Sequence, residues 1–246
     1  MHWELIVENA GRPGFANMAI DDALLDAADR AGRAFLRLYR WDPPCLSFGR
    51  HEPARTRYDR DAIERRGLAV VRRPTGGRAV WHEHEVTYAV AAPSATFGTL
   101  AATYHAIHVR IAAALRSLGA DVSLAAPGRR ALSLGAGACF AAPVGGEVVA
   151  AAGKVVGSAQ VRRGTAFLQH GSILLDGSQD LVRAVTRGPT PAGGEIGLAA
   201  LLGRPVSFAE VAAAIVSAWD AGAPAAADIP APPPGAFADP AWTWRR

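Results

Sequence analysis

Of the 26 basic residues in this 246-residue chain, one is a lysine, Lys154. It lies in Gly153-Lys154-Val155-Val156-Gly157-Ser158-Ala159-Gln160, at the start of a strand pattern and among small residues. A lysine held there can hydrogen-bond a carbonyl, or act as a base once desolvated. The alternative is a surface lysine in a hairpin turn. Cys139 lies in Gly135-Ala136-Gly137-Ala138-Cys139-Phe140. Small neighbours leave a thiol open to a bulky substrate, and a nearby cation would lower its pKa from about 8.5 and populate the thiolate. The alternative is a small buried apolar residue, the commoner fate of an isolated cysteine. Cys45, between Pro44 and Leu46, reads as that.

A second candidate is Val71-Arg72-Arg73-Pro74-Thr75-Gly76-Gly77-Arg78-Ala79-Val80-Trp81-His82. Two glycines directly after a strand let backbone N–H groups approach a ligand closely. Such a loop cradles a carbonyl, carboxylate or phosphate, and Arg72, Arg73 and Arg78 surround it with positive charge. A Gly-Gly hairpin with solvated arginines is the competing reading. In Leu168-Gln169-His170-Gly171-Ser172, His170 is either a base or a partly buried strand histidine. His82 and His84 in His82-Glu83-His84-Glu85 can share one strand face, but no third metal ligand is signalled, so no metal site is expected. His105 and His108 share a helix face and read as solvated or core histidines.

Hydrophobic spacing places these motifs. A helix is expected over about 16–31 with Asn17 as N-cap. Strands are expected at 34–41 and 45–48, then a short helix at 59–66 and a strand at 68–72 leading into the glycine loop. A strand at 86–92 precedes the longest helical pattern, 99–118, closed by Gly119, and 122–125 returns as a strand. Strands at 147–152, 155–162 and 166–175 turn at Gly153 and Gly164. Helices follow near 179–185 and 208–221. Strands and helices that do not alternate regularly favour an α+β fold over a doubly wound one. The chain divides into a body, 1–222, and an Ala/Pro-rich tail, 223–246. The tail reads as extended, although Trp242 and Trp244 can dock it back.

Composition sets limits. Half of the residues are hydrophobic and a fifth charged, which is globular and rules out wholesale disorder. No run of eighteen apolar residues occurs, and the N-terminus lacks a secretory pattern, so a cytoplasmic protein is expected. Two cysteines suit a reducing compartment. The net charge is +4, and about a fifth of the chain is alanine. That Ala/Arg-rich usage reads as coding bias rather than as a basic function.

Taken together, three ordered blocks resemble the lipoyl and biotin protein ligase superfamily: RRPTGGRAVWH followed by EVTYAV, ACFAAP, and GKVVGSAQ running on into LQHGSILL. GFANMAIDDALL and WDPPCLSFGR agree more weakly, and the likeness spans roughly residues 2 to 200. Within the superfamily the blocks look most like the cysteine-dependent octanoyltransferases. The resemblance implies a biotin/lipoate protein ligase-like catalytic domain, a central mixed β-sheet flanked by helices. It implies that Cys139 accepts the acyl group and that Lys154 contacts the acyl carbonyl. Arg73, Thr75, Gly76, Gly77, Arg78, Ala79 and His82 then match the acyl-pocket loop. Gly157, Ser158, Ala159 and Gln160 match a second wall, and His170 and Gly171 a third. The implied reaction moves octanoyl from octanoyl-acyl-carrier protein to a lysine of a lipoyl-domain protein, such as glycine-cleavage H protein or a 2-oxoacid dehydrogenase E2. It needs no cofactor and no membrane or nucleic acid, and the expected state is a monomer.

The stretch Pro143-Val144-Gly145-Gly146-Glu147-Val148 departs from the family, which usually carries Pro-Ser and an aromatic before Glu-Leu. An ATP- and Mg-dependent lipoate–protein ligase and an octanoyl amidotransferase between lipoyl domains are the enzymatic alternatives. A basic binding module on the same scaffold is the non-enzymatic one. It requires arginines clustered with aromatics on one face, whereas in sequence they are scattered.

Overall fold

The structure is a computed structural model that describes residues 2–126, 146–190, 193–219 and 232–246. Its strands are β1 (Trp3–Arg12), β2 (Ala34–Trp41), β3 (Cys45–Phe48), β4 (Ala69–Arg72), β5 (Val80–His82), β6 (Glu85–Pro93), β7 (Ser123–Leu124), β8 (Val148–Ala150), β9 (Gly153–Lys154), β10 (Val156–Arg163) and β11 (Ala166–Leu174). The helices are α1 (Gly14–Ala31), α2 (Ala54–Arg57), α3 (Arg60–Arg65), α4 (Leu100–Ser117), α5 (Asp180–Ala184), α6 (Leu198–Leu202), α7 (Phe208–Ser217) and α8 (Pro240–Thr243).

The main sheet runs β1-β2-β6-β11-β10. β1 and β2 are parallel; the other pairs are antiparallel. The sheet is therefore mixed and α+β, as expected. Strand alternation puts Val86, Tyr88, Val90 and Ala92 of β6 into one core with Ile107, Ile111 and Leu115 of α4 and Val211 and Ile215 of α7. Ala89 and Ala91 face the other way, into a core with Ile20, Leu24 and Leu25 of α1. Helices cover both faces, so β6 is apolar almost throughout. Full burial of each such side chain contributes about 1.5–3 kcal/mol.

A second sheet, β4-β3-β5, stands beside the first, and a small third sheet is built from β7-β8-β9. Leu46, Phe48, Tyr58, Ile63 and Ala79 form a third core, which Trp244 closes. Residues 232–246 of the expected tail are thus docked on the body, while 223–231 lie outside the described residues. Gly235–Ala238 makes a 3-10 turn, α8 follows, and Trp244 packs with its ring 5.3 Å from Phe48. Among the described residues no helix is long and apolar enough to cross a membrane.

The N-cap of α1 is Pro13, not Asn17. Asn17 is buried one turn inside. Its Nδ2 donates to the Arg12 and Arg40 carbonyls, and its Oδ1 accepts from Arg37. Asp59 and Thr99 do cap α3 and α4 through their side chains. β1, β5, α2 and α6 were not expected from spacing.

Candidate active site

The glycine loop leaves β4 and turns back into β5. Gly77 has φ +85°, and a Cβ added to Gly49 would overlap the Gly77 carbonyl, so two backbones meet there where no side chain fits. Arg73 holds the turn from inside. Its guanidinium donates to Ser47 O at 2.9 Å, Gly76 O at 3.1 Å and Arg78 O at 2.7 Å. Arg73 is a clamp on the loop, not a solvated charge.

Thr75 is fully buried, and its hydroxyl lies 2.6 Å from His170 Nε2. His170 Nδ1 lies 2.9 Å from Asp21 Oδ2. Asp21 also accepts from Arg37 Nη1 at 2.8 Å and from the Tyr39 hydroxyl at 2.9 Å. Burial would raise the Asp21 carboxyl, but the His170 hydrogen bond and Arg37 outweigh it and hold the carboxyl below its usual range. Burial pushes His170 down, against the pull of Asp21, with Arg73 and His82 adding to the push. A neutral imidazole donating Nδ1–H to Asp21 accepts the Thr75 hydroxyl at Nε2. His170 therefore positions the loop from behind, in line with its buried-strand reading.

His82 makes a parallel arrangement. Its Nδ1 lies 2.8 Å from Glu85, its Nε2 2.6 Å from Ser47 Oγ, and its ring stacks on Trp41 at 4.0 Å. The hydroxyls of Thr87 and Ser172 donate to the same Glu85 carboxylate. His82 and His84 do not share a face. β5 ends at His82, and the His84 side chain is 61% exposed beyond it. Among the described residues no group of three or more His, Cys, Asp and Glu forms a metal-ligand set.

A cleft of about 610 Å³ opens in front of the loop. Gly76 and Gly77 line one side and Ser158, Ala159 and Gln160 another, with Tyr104, His105 and Glu147 opposite. Behind Ser158 and Ala159 a narrow slot reaches Arg73, His82, Gly157, His170 and Gly171. Its room of about 20 Å³ holds roughly one water and no acyl chain. Ala79 does not line either space, because it belongs to the third core.

Lys154 is 2% exposed, and its Nζ lies 2.7 Å from Glu147 Oε1, so it is no surface lysine. The Tyr104 hydroxyl donates to the same oxygen at 3.2 Å. The lysine thus stands one carboxylate behind the cleft wall. His108 joins Gly146 O (Nδ1, 2.7 Å) to Ser158 Oγ (Nε2, 2.8 Å), and burial lowers its pKa to about 4. It is a core histidine, whereas His105 is exposed and lines the cleft.

Cys139 lies outside the described residues. Ala126 and Gly146, the described residues that flank its segment, both line the cleft. They are tied together there: Gly146 N–H donates to Ala125 O, and Ala125 N–H to Glu147 O.

Residues that spacing did not single out carry much of this geometry: Asp21, Glu85, Tyr104 and Glu147. Asp21 had a signal. A carboxylate on the buried face of a helix, between Ile20 and Leu24, needs a partner.

Residues 13–220 match the lipoyl protein ligase A/B catalytic domain, and the chain belongs to that family. Over 196 residues it is 42% identical to Octanoyltransferase LipM of Kyrpidia tusciae, covering 76% of this chain and 71% of that protein. It is an enzyme of the acyltransferase class. Its fold matches the crystal structure of lipoate-protein ligase A bound with ATP, at TM-score 0.74 and 23% identity over 89% of this chain and 84% of the other. It also matches a chain from the bipartite lipoate protein ligase and E2 lipoyl domain system of Thermoplasma acidophilum, at TM-score 0.69 and 23% identity, over 89% and 83%.

Proposed function

We propose that this chain transfers octanoyl from an acyl-carrier protein, through a thioester on Cys139, to a lysine of a lipoyl-domain protein in the cytoplasm. One observation carries the reading: the segment holding Cys139 joins two residues on the rim of a cleft walled by Gly76 and Gly77 and backed by the chain's single lysine. The octanoyltransferase relative points the same way.

The chemistry balances without ATP. The Cys139 thiolate attacks the carrier thioester, a new C–S bond forms, the old one breaks, and the carrier thiolate leaves. One thioester replaces another, at little free-energy cost. The acceptor lysine amine then attacks the acyl-enzyme. A C–N bond forms, the Cys139 thiolate leaves, and the proton lost by nitrogen restores the thiol. Amide formation drives completion, and the covalent intermediate divides one difficult transfer into two easier ones. Lys154 orients the acyl carbonyl and stabilises the charge that develops on its oxygen, with backbone N–H groups near Gly76 and Gly77 assisting.

Intact-protein and peptide mass spectrometry after mixing with octanoyl-carrier protein, without ATP, is the test. An octanoyl adduct on Cys139 that a lipoyl domain discharges is the expected result, and Cys139→Ala abolishes both steps while the chain stays folded. Modification of the lipoyl domain only with ATP and free lipoate would replace this reading with a ligase.

A further inference from the structure

Several arginines in this fold pair with a carboxylate. Arg163 pairs with Asp22 and Asp26, Arg37 with Asp21 and Glu8, Arg183 with Glu195, and Arg204 with Glu210. One group differs. Among the described residues, Arg50, Arg55, Arg72, Arg245 and Arg246 make no salt bridge, and they come together where α8 and the last residues cross the turn after β3. Arg50 and Arg245 both stack on Trp242, at 5.7 and 3.8 Å. Arg245 Nη2 donates to Arg50 O, and the Arg55 N–H donates to Arg246 O. Arg72 is buried beneath them. Burial and the nearby Arg245 and Arg246 lower it to about 10, only partly offset by Glu52. Burial, Arg246, Arg50 and Arg245 push His51 down as well.

Two guanidinium nitrogens in this group, Arg72 Nη2 and Arg245 Nε, are buried without an acceptor. A buried N–H lacking an acceptor is costly, and the other bonds that Arg72 and Arg245 make among the described contacts go to neutral carbonyls, which leave the positive charge uncompensated. The one carboxylate in the turn, Glu52, is 2% exposed and is taken up by the Tyr58 hydroxyl and the Gly49 N–H. The cluster also touches the site. The Arg50 N–H donates to Thr75 O at 2.7 Å, on the side of the glycine loop away from the cleft.

We infer that the Arg50–Arg55–Arg245–Arg246 face docks the acidic carrier protein that delivers the acyl thioester. The inference rests on the proposed transfer and names its donor surface. The patch favours the donor over the acceptor by geometry. It lies one loop's thickness from the cleft, so its occupant must reach the reacting centre on a long flexible arm, as an acyl-carrier protein does. An acceptor lysine has only its own side chain and must come directly to the cleft mouth. Sequence order hid the cluster, because its members lie at 50–55, 72 and 245–246.

The test is the acyl-loading half-reaction of Arg50→Glu/Arg246→Glu, two positions whose side chains make no hydrogen bond among the described contacts. Two donors are compared: octanoyl-carrier protein, and octanoyl-N-acetylcysteamine, which has the thioester but no protein. Charge steering changes association by about 10- to 1,000-fold. The expected result is a loss of at least about tenfold in kcat/KM with the carrier protein, a weaker salt dependence, and unchanged loading from the small thioester. Equal losses with both donors, no loss with either, or a loss confined to transfer onto the lipoyl domain would each overturn it. So would salt-sensitive binding of a DNA duplex that the variant loses while carrier loading stays intact. If the unaltered protein loads from neither thioester, the transferase reading itself has failed, an outcome separate from failure of the docking face.

Discussion

The glycine-loop wall and the lysine wall of the cleft handle buried charge differently. Behind the loop, Asp21 meets Arg37, Tyr39 and His170, and Glu85 meets His82, Thr87 and Ser172. These contacts join α1 to β2 and β11 and join β5 to β6 and β11; Thr75 ties the loop to His170, and Ser47 ties β3 to His82. The lysine wall rests on strands of two and three residues, β8 and β9, with one ion pair between Lys154 and Glu147 and Tyr104 on the same oxygen. The loop wall is over-determined and built before substrate arrives. The lysine wall has shorter strand ladders, with further backbone bonds joining Lys154 to Gly194 and Ile196; under the proposed transfer, local opening of this wall would let Lys154 exchange a carboxylate for a carbonyl.

Breaking the denser wall has the largest expected effect on stability. Asp21→Ala strips a partner from buried Arg37 and from His170 together, and loss of one side of a buried pair costs about 3–5 kcal/mol. Denaturant midpoints should fall accordingly, with Asp21→Asn recovering part of the loss. Lys154→Ala removes the cation that faces buried Glu147 and should lower the midpoint too, by less than Asp21→Ala, because it strips one buried partner and not two; its larger effect is on rate. Removing a single oxyanion donor typically costs about 100- to 1,000-fold, read here as single-turnover acyl transfer. If its denaturation midpoint fell as far as that of Asp21→Ala, the contrast between the walls would be gone.

His108 sharpens the contrast through pH. Its folded pKa of about 4 lies below the ordinary 6.5, so the unfolded chain takes up a proton first as pH falls. The stability tied to neutral His108 is fully present above pH 6.5 and is lost between there and about pH 4. At about 1.4 kcal/mol per unit, that loss is on the order of 3 kcal/mol. His108→Gln should flatten the fall in urea midpoint between pH 7 and 4.5. An unchanged slope would mean that His108 does not govern acid sensitivity.

Much of the frame was legible in the residues. β2, β3, β6, β10, β11, α1 and α4 are legible from apolar spacing: α1 and α4 each turn a stripe to one core, and β2, β6 and β11 are apolar runs buried on both faces. β1 did not, because its alternation is interrupted: Leu5 and Ile6 are both buried, Val7 is half exposed, and the register shifts between Val7 and Gly11. Asn17 resembles a cap in sequence because its type suits that role equally well. Spacing also could not show that Thr75 turns inward to a histidine 95 positions away, or that Ala79 fills a core. Such roles depend on which strands become neighbours, and no local window contains that.

The Arg72 guanidinium donates through Nε to the carbonyl of Thr243, 171 positions further along the chain, and through Nη1 to carbonyls of Gly49, Arg50 and Glu52. Trp242 returns a bond to the Arg72 carbonyl. A ribosome makes the glycine loop early, but the segment that braces its base arrives only when residues 242 and 243 emerge. At roughly 5–20 residues per second the gap is on the order of ten to thirty seconds. Throughout that interval the nascent chain carries the loop with its supporting arginine still unbraced, so the base of the glycine loop becomes rigid only after residues 242 and 243 are made.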